Sequence, residues 1–198
     1  QFWDGRAETL EAQAVLPITN PIEMAMPSHG AVEEKLRKLP EYPPLFQKAF
    51  GKPEVTIGRV GQAIASFERT VISFSAPIDR FLAGDKNALS DSAKRGWDVF
   101  NGKARCNTCH GHVSVAPTFT DNKYHNIGVA AQKEDFAALA RETQKLLQKG
   151  DSQKIDELAL QPRFSELGRF LVTREQKDIG AFKSPGLRNV ELTAPYMH

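Results

Sequence analysis

The sequence predicts an all-α fold in two parts, and three observations lead to this expectation. Apolar residues recur every three or four positions in the clearest segment, at Val60, Ile64, Phe67 and Val71, which is the period of an amphipathic helix. No alternating polar and apolar stretch is long enough to indicate a substantial sheet. A Gly-Asp-Lys-Asn segment at 84–87 interrupts the helical pattern, so we expect the two parts to join near residues 84–90.

Helix signals in the first part are bounded by turn residues. Asp4-Gly5, Pro17 and Asn20-Pro21 favour turns over most of residues 1–27. Pro40 ends a short amphipathic stretch, and Thr56 is a good N-cap for the longest one. We therefore expect helices over 7–15, 30–39, 43–51 and 56–74.

The second part mixes helices with long loops. Ser90 is an N-cap for a helix over 91–100 that carries Trp97 and Phe100 on one side. Two more amphipathic stretches predict helices over 133–149 and 152–160. Residues 101–130 and the stretch from 162 onward have no regular pattern, and we expect loops there.

Composition excludes several classes of protein. The chain of 198 residues has 26 Lys and Arg against 24 Asp and Glu, a formal charge of +2, which is too balanced to indicate a nucleic acid partner. No run of about 18 apolar residues is present, so we expect no membrane span. The two cysteines lie three positions apart, which excludes a disulfide framework and a cysteine-rich zinc site.

Those cysteines belong to Cys106-Asn107-Thr108-Cys109-His110, which has the C-x-x-C-H spacing of a c-type haem attachment site. Two thiols about one helical turn apart can each add to a haem vinyl group, and the adjacent imidazole then lies beneath the iron. The alternatives are a chance pentapeptide and a thioredoxin-like redox pair, which needs a βαβ context that this helical sequence does not offer. We expect one covalent haem c on Cys106 and Cys109, with His110 as the iron ligand.

The ligand on the opposite face of that iron stays open. Methionine and histidine are the residue types that commonly occupy it, and spacing alone does not choose among them. The candidates are Met24, Met26, Met197, His29, His125 and His198.

Several segments, taken in order, resemble the bacterial di-haem cytochrome c peroxidases and the related MauG proteins. They span nearly the whole chain and lie on both sides of the haem motif, so they are far more specific than C-x-x-C-H alone. They are Phe-Trp-Asp-Gly-Arg-Ala at 2–7, Leu-Glu-Ala-Gln-Ala at 10–14, Pro-Ile-Thr-Asn-Pro-Ile-Glu-Met at 17–24, Phe-Glu-Arg-Thr at 67–70, His-Asn-Ile-Gly at 125–128, Phe-Lys-Ser-Pro-Gly-Leu-Arg-Asn at 182–189 and Leu-Thr-Ala-Pro-Tyr-Met-His at 192–198.

The resemblance implies two cytochrome c-like helical haem domains. Residues 1–85 would be the remainder of an N-terminal peroxidatic domain, and residues 86–198 would form the electron-transferring domain. The haem motif of the first domain would lie upstream of Gln1, and the sixth ligand of the second haem, Met or Tyr, beyond His198. We therefore expect the chain to be a piece of a longer protein, with Met197 a bystander.

The resemblance also assigns roles to individual residues. Gln13 and Glu23 match the amide and carboxylate that overhang the open face of the peroxidatic haem. A carboxylate there can move the proton of hydrogen peroxide between its two oxygens, and the amide can position the peroxide. Trp3 matches a tryptophan that relays electrons between the two haems.

Three further positions match residues that hold charged groups. Lys183 matches a basic residue near a haem propionate. Thr193 and Pro195 match residues whose backbone carbonyls bind Ca²⁺ between the haems, and carbonyl oxygen suits that ion.

The chain departs from the classical peroxidases in two places. The helical stretch between His125 and Phe182 is long for them, and this region looks closer to the MauG-like branch. MauG proteins that mature methylamine dehydrogenase carry a Trp two residues before the first motif cysteine. Here that residue is Ala104, which argues against that particular substrate.

Three functions follow as alternatives. The first is a di-haem peroxidase that reduces hydrogen peroxide with electrons from a small donor protein, a cytochrome c or a cupredoxin. The second is a MauG-like oxidase that modifies a protein substrate, and the third is a single-haem electron carrier without enzymatic activity. The resemblance implies a periplasmic location and leaves room for a homodimer.

Overall fold

The structure is a computed structural model that describes residues 1–113, 117–128, 135–147 and 151–196. These residues are mostly helical and form two compact units. The first unit comprises Gln1–Phe2 and Ala7–Ile72, and the second comprises Trp3–Arg6 with the described residues from Ser73 onward. The junction expected at 84–90 between two haem domains stays a prediction, because compact packing alone does not assign haem domains.

The first unit contains four helices, and polar side chains cap three of them. Thr9, Ser28 and Thr56 each accept a hydrogen bond from a backbone N–H in the first turn of the helix that follows. The helices are α1 Leu10–Thr19, α2 His29–Lys38, α3 Tyr42–Phe50 and α4 Ile57–Glu68.

The core of this unit lies among all four helices. Its buried members are Ile18, Val32, Phe46, Val55 and Val60. At the crossing of α1 and α4, a Cβ on Gly61 would lie 2.8 Å from the Glu11 carbonyl oxygen. Only glycine therefore lets the two helices approach this closely.

Two expectations for this unit need correction. The helix expected over 7–15 spans Leu10–Thr19, and Pro17, expected to favour a turn, lies inside it, because the buried Ala14 and Ile18 hold the last turn against the core. Helix α4 ends at Glu68 rather than near residue 74. Val71 and Ile72 beyond it are 65% and 69% exposed, so no packing supports further turns.

The second unit contains six helices within the described residues. They are α5 Pro77–Leu82, α6 Asp91–Asn101, α7 Phe136–Leu146, α8 Ser152–Ala159, α9 Pro162–Ser165 and α10 Phe170–Thr173. Short 3-10 turns span Cys106–Thr108 and Gln176–Asp178. Strands β1 Tyr124–His125 and β2 Phe182–Lys183 pair antiparallel, Tyr124 opposite Lys183 and His125 opposite Phe182.

Helices α7 to α10 build the core of this unit. Leu139, Phe170 and Leu171 are at most 1% exposed, and Leu158, Phe164 and Leu167 complete the cluster. The helices expected over 91–100 and 152–160 are confirmed. The one expected over 133–149 is present as α7, although its ends at 133–134 and 148–149 lie outside the described residues.

The stretch after residue 162, expected to be irregular, instead carries α9, α10 and β2. These elements are too short for periodicity to reveal, and they are held by burial of Phe164, Leu167 and Phe170. None of the helices in the described ranges is both long and apolar enough to cross a bilayer.

Leu171→Ala tests this core. Leu171 is fully buried, so we expect its truncation to lower the free energy of unfolding by about 2–5 kcal/mol. Leu146→Ala is the control, because Leu146 is 43% exposed and surface changes usually stay within about 0.5 kcal/mol. Urea unfolding followed by circular dichroism measures both, and equal losses would contradict the assignment of the core.

Candidate functional site

The C-x-x-C-H motif lies in a tight turn just after α6. Gly102 directly follows the helix, and a Cβ on it would lie 2.7 Å from the Asp98 carbonyl oxygen. Arg105 then adopts a left-handed φ of 55°. The 3-10 turn Cys106–Thr108 then brings the His110 N–H to the Cys106 carbonyl at 2.9 Å. Both cysteine thiols are half-buried and unbridged, so both are available for a covalent bond.

The His110 ring is oriented by one backbone carbonyl. Its Nδ1 lies 2.9 Å from the carbonyl oxygen of Phe119. An Nδ1–H that donates to this oxygen leaves the Nε2 lone pair free for a metal, which is the usual arrangement of an iron-ligating histidine. The residues of the motif therefore fit a haem c.

Aromatic rings pack beside the motif. Trp97 stacks on Phe100 at 5.6 Å and meets His112 at 4.6 Å and Phe119 edge-on at 6.5 Å. His112 Nε2 also lies 2.6 Å from the Asn101 side-chain oxygen. This cluster fixes the end of α6 relative to the loop that carries Phe119.

A second chain segment runs along that loop. The Thr120 hydroxyl donates to the Ser184 carbonyl at 2.7 Å, and the Leu187 N–H donates to the Thr118 carbonyl at 3.2 Å. Between them, a Cβ on Gly186 would lie 2.9 Å from the Thr118 carbonyl oxygen. Glycine is needed for this close approach.

Arg188 ends this segment in a two-pronged ion pair. Its two terminal nitrogens each lie 2.7 Å from a carboxylate oxygen of Asp79, and its Nε donates to the Pro117 carbonyl at 2.9 Å. Both side chains of the pair are about one-sixth exposed. The hydrogen bonds from Arg188 lower the pKa of Asp79 below its ordinary value, against the opposing effect of burial.

Cys109 also faces a possible metal-binding pair. Its sulfur, an Asp121 oxygen and a His125 nitrogen lie within 4.8 Å of one another, and His125 Nε2 is 2.7 Å from Asp121. Burial raises the pKa of Asp121, but hydrogen bonds from the Lys123 N–H and from His125 outweigh it and leave that pKa lowered. Addition of Cys109 to a haem vinyl group would convert its sulfur to a thioether, which would remove it as a thiolate ligand for a metal ion.

The first unit contains a separate cavity of about 690 Å³, within the usual range for ligand sites. Apolar side chains of α1, α2 and α4 form most of its wall, together with Met24 and Met26. Gln13, Lys35, Tyr42 and Glu68 supply polar atoms. Glu68 Oε2 is buried without a hydrogen-bond partner among the described residues.

Gln13 thus lines the cavity. Glu23 instead lies on an exposed turn after α1. Glu23 accepts a hydrogen bond of 2.6 Å from the Asn20 side-chain amide. Its neighbour Met24 lines the cavity wall. The described contacts therefore place Gln13 in the cavity and leave Glu23 outside its lining.

The other expected site residues lie in the second unit. Trp3 is 56% exposed, and its carbonyl accepts a hydrogen bond from the Lys183 N–H at 2.8 Å. Thr193 and Pro195 are exposed. Among the candidate sixth ligands, His29 Nε2 already contacts the Val15 carbonyl at 3.1 Å, while Met197 and His198 lie outside the described residues.

Sequence reasoning missed Asp79, Phe119 and Glu68. Asp79 and Arg188 are 109 positions apart, so no local pattern joins them. Phe119 acts through its backbone, and only the neighbouring Phe-Thr-Asp-Asn turn gives a signal of its position. Glu68 lies four residues after Ile64 and eight after Val60, so its helical spacing on the apolar face of α4 was the available signal.

Comparisons with known proteins agree with the motif. The family model described as di-haem cytochrome c peroxidase matches residues 1–87. The MauG methylamine utilization protein of Methylophilus methylotrophus is 38% identical, and the cytochrome c551 peroxidase of Nitrosomonas europaea is 37% identical, each over 100% of this chain and 49% of the relative. The chain thus spans about half the length of these relatives.

A solved structure agrees with the fold. The diheme peroxidase BthA from Burkholderia thailandensis superposes with a TM-score of 0.68 and 23% identity, over 100% of this chain and 47% of that one. The expectation of an all-α, cytochrome c-like fold is confirmed. The chain is similar over its whole length to di-haem cytochrome c peroxidases and MauG proteins, and haem c is the cofactor that this likeness implies.

Asp79→Asn tests the ion pair that holds the 184–188 segment. Hydrogen bonds to charged groups contribute about 1.5–3 kcal/mol, and we expect a loss of that order in the free energy of unfolding at pH 7. Because the pKa of Asp79 is lowered in the folded protein from its ordinary 3.8, this stabilisation is complete above about pH 3.8 and disappears as the pH falls further. The difference in the free energy of unfolding between the parent and Asp79→Asn should therefore disappear in acid.

Asp91→Asn is the matched control, since Asp91 is 89% exposed and pairs only loosely with Lys94. Such surface pairs contribute little. Chemical unfolding at several pH values measures both variants. If the difference in the free energy of unfolding between Asp79→Asn and the parent stays constant down to acidic pH, the lost contact is not ionic.

Proposed function

We propose that this chain is part of a di-haem peroxidase that reduces hydrogen peroxide with electrons from a small donor protein. The observation that carries the proposal is the His110 ring, held at Nδ1 by Phe119 beside two free cysteines. In a member of this family, that arrangement suits a haem on the electron-transferring side. Electrons would pass from it to a second, peroxidatic haem.

Each residue of the motif has its own part. Cys106 and Cys109 would anchor the haem through thioethers, and His110 would ligate its iron through Nε2. When bound, the haem supplies reversible one-electron exchange. Lys183 would neutralise a propionate, and the carbonyls of Thr193 and Pro195 would hold Ca²⁺.

The cavity of the first unit is the proposed place of peroxide chemistry. Two electrons and two protons convert one hydrogen peroxide to two waters. Glu23 would take the proton from one peroxide oxygen and return it to the other, and the Gln13 amide would position the peroxide. Gln13 lines this cavity and Glu23 directly precedes Met24, which also lines it, so a small movement of the turn would bring the carboxylate to the cavity mouth.

Trp3 would relay electrons between the two haems. An aromatic ring can accept and pass on an electron without a change in bonding. A periplasmic location would follow from the haem c, since the family attaches it outside the bacterial cytoplasm. The donor would be a cytochrome c or a cupredoxin.

The similarity to the MauG protein keeps a second function in view, an oxidase that modifies a protein substrate. The long helical stretch from α7 to α10 favours it. A Tyr as sixth ligand of the second haem would favour the oxidase, and a Met the peroxidase. A single haem in the intact protein would instead support a plain electron carrier.

Mass spectrometry of the denatured protein tests the haem attachment. We expect a haem-sized mass increase on one peptide that contains both Cys106 and Cys109, because each thiol forms a thioether that survives denaturation. Cys109→Ser and Cys106→Ser should each leave the haem attached through a single thioether bond. Protein from a haem-attaching host without that adduct would refute the assignment.

Glu23→Gln tests the chemistry in the full-length, haem-loaded protein. Loss of a general base typically slows a reaction by about 10²–10⁴-fold, so we expect peroxide turnover to fall by that order while both haems stay attached and reducible. Gln13→Ala should have a smaller effect, because water can replace part of its hydrogen bonding. Steady-state peroxide consumption measures each variant.

Glu41→Gln is the control, since Glu41 is an exposed carboxylate at the start of α3 with no side-chain hydrogen bond to the helix. Normal turnover in Glu23→Gln would contradict the assignment. Loss of turnover in Glu68→Gln alone would then move the acid–base role to the carboxylate that lines the cavity.

A further inference from the structure

We infer that Arg169 is a positioning residue that fixes the backbone on which Trp3 is carried. Within the described residues, Arg169 contacts neither the haem motif nor the cavity of the first unit. The inference rests on the proposed relay role of Trp3. Its basis is a set of contacts that gather around residues 3–6, all within the second unit.

Arg169 reaches the segment with one guanidinium nitrogen. This nitrogen donates to the carbonyl oxygens of Asp4 at 3.1 Å and Gly5 at 3.0 Å. The guanidinium carbon lies 4.4 Å from the centre of the Tyr124 ring, close enough for a cation–π contact. One cation therefore holds the Asp4–Gly5 and Gly5–Arg6 peptide groups, which begin one residue after Trp3.

Gly5 confirms how closely the backbone is packed here. Its φ is +75°, and a Cβ at this position would overlap the Tyr124 hydroxyl and lie 2.6 Å from the Arg169 nitrogen. Only glycine fits a left-handed turn pressed against both side chains. The Asp-Gly pair after Trp3 thus shapes the segment to the arginine.

Arg169 is itself held on a rigid part of the unit. Its N–H donates to the Ala181 carbonyl at 2.7 Å, and Gly168 forms a bridge with Ala181 just before β2. Phe170, the next residue, is buried in the core at 1% exposure. The Arg169 side chain is thus fixed at its backbone and held at its guanidinium end, so it links the core to residues 4 and 5.

Two other contacts complete the hold on the segment. The Lys183 N–H donates to the Trp3 carbonyl at 2.8 Å. Asp4, 5% exposed, pairs with Arg6, and Arg6 reaches Asp156 of α8 at 2.9 Å. Burial raises the pKa of Asp156, although Arg6 pulls it the other way.

The Trp3 side chain contributes little to its own placement, because it is 56% exposed. The position of the indole therefore depends on its backbone, and that backbone depends on Arg169 and Lys183. Electron transfer through an aromatic ring depends steeply on the gaps on either side of it. Release of the Arg169 contacts should slow transfer without altering either haem.

The test uses the full-length, haem-loaded protein and the variants Arg169→Gln, Arg169→Lys and Trp3→Phe. The haem at 106–110 is reduced rapidly, and the reduction of the second haem is followed by its absorbance. We expect Arg169→Gln to slow this step by about tenfold, below the roughly 10²-fold that a displacement of about 1 Å can cause at a reacting centre. Arg169→Lys should recover part of the rate, since it keeps the charge over Tyr124 and one donor group.

Two further readouts separate positioning from general damage. The midpoint potentials of both haems should match the parent in every variant. With 5-fluorotryptophan in place of tryptophan, the fluorine resonance that Trp3→Phe removes should shift or broaden in Arg169→Gln, while the resonance of Trp97 stays unchanged.

Arg59→Gln is the matched control. Arg59 also lies over an aromatic ring, that of Phe50 at 5.7 Å, and donates to a backbone carbonyl, that of Glu54 at 2.6 Å. It belongs to the first unit and touches no residue of 3–6 in the described contacts. The rate of electron transfer between the haems in Arg59→Gln should equal that of the parent.

The outcomes distinguish this inference from the function on which it rests. If Trp3→Phe is slow and Arg169→Gln transfers at the parent rate, the positioning role is wrong and the relay stands. If Trp3→Phe also transfers at the parent rate, both are wrong. Should Arg169→Gln fail to fold, Gly5→Ala displaces the same backbone, because its Cβ would overlap the Tyr124 hydroxyl and crowd the Arg169 nitrogen, and an unchanged rate there overturns the inference.

Discussion

The hydrogen bond between the His110 ring and the Phe119 carbonyl is the constraint on which the second unit depends. The bond requires the Phe119 carbonyl to point toward the motif, and Phe119 adopts a left-handed φ of 55° in this arrangement. A left-handed conformation is unfavourable for a bulky residue and persists only where the surroundings enforce it. Here the ring is 5% exposed, meets Trp97 edge-on and lies beneath the Arg188 guanidinium at 5.5 Å.

Arg188 extends this constraint to the rest of the unit. The same side chain stacks on Phe119, donates to the Pro117 carbonyl and forms an ion pair with Asp79 on α5. One cation thereby joins three stretches of chain that are far apart in sequence. A guanidinium suits this task because its planar fork can stack and donate in several directions at once, which a lysine ammonium cannot do.

Local chemistry made much of the helical structure predictable. Ser90 and Thr56 cap α6 and α4 as expected, and Gly51 ends α3 in a left-handed conformation. The parts that escaped prediction are set by distant packing: the passage of α1 through Pro17 and the short helices α9 and α10. The same holds for the site, where spacing identified Cys106, Cys109 and His110, but nothing local in the sequence pairs Asp79 with Arg188 or Arg169 with the Asp4 carbonyl.

The stretch from Phe182 to Arg188 links the two functional elements of the second unit. Its first half pairs with β1 and holds the Trp3 carbonyl through the Lys183 N–H. Its second half runs beside the loop of Phe119, with Thr120 and Thr118 as its partners. The haem ligand and the tryptophan segment are therefore anchored to one short stretch of chain, of which only Phe182 and Lys183 form a strand. The N–H groups of Lys183 and Leu187, which hold the Trp3 carbonyl and the Thr118 carbonyl, are only four residues apart. The length of the chain between them therefore limits how far the Trp3 segment and the loop of Phe119 can separate.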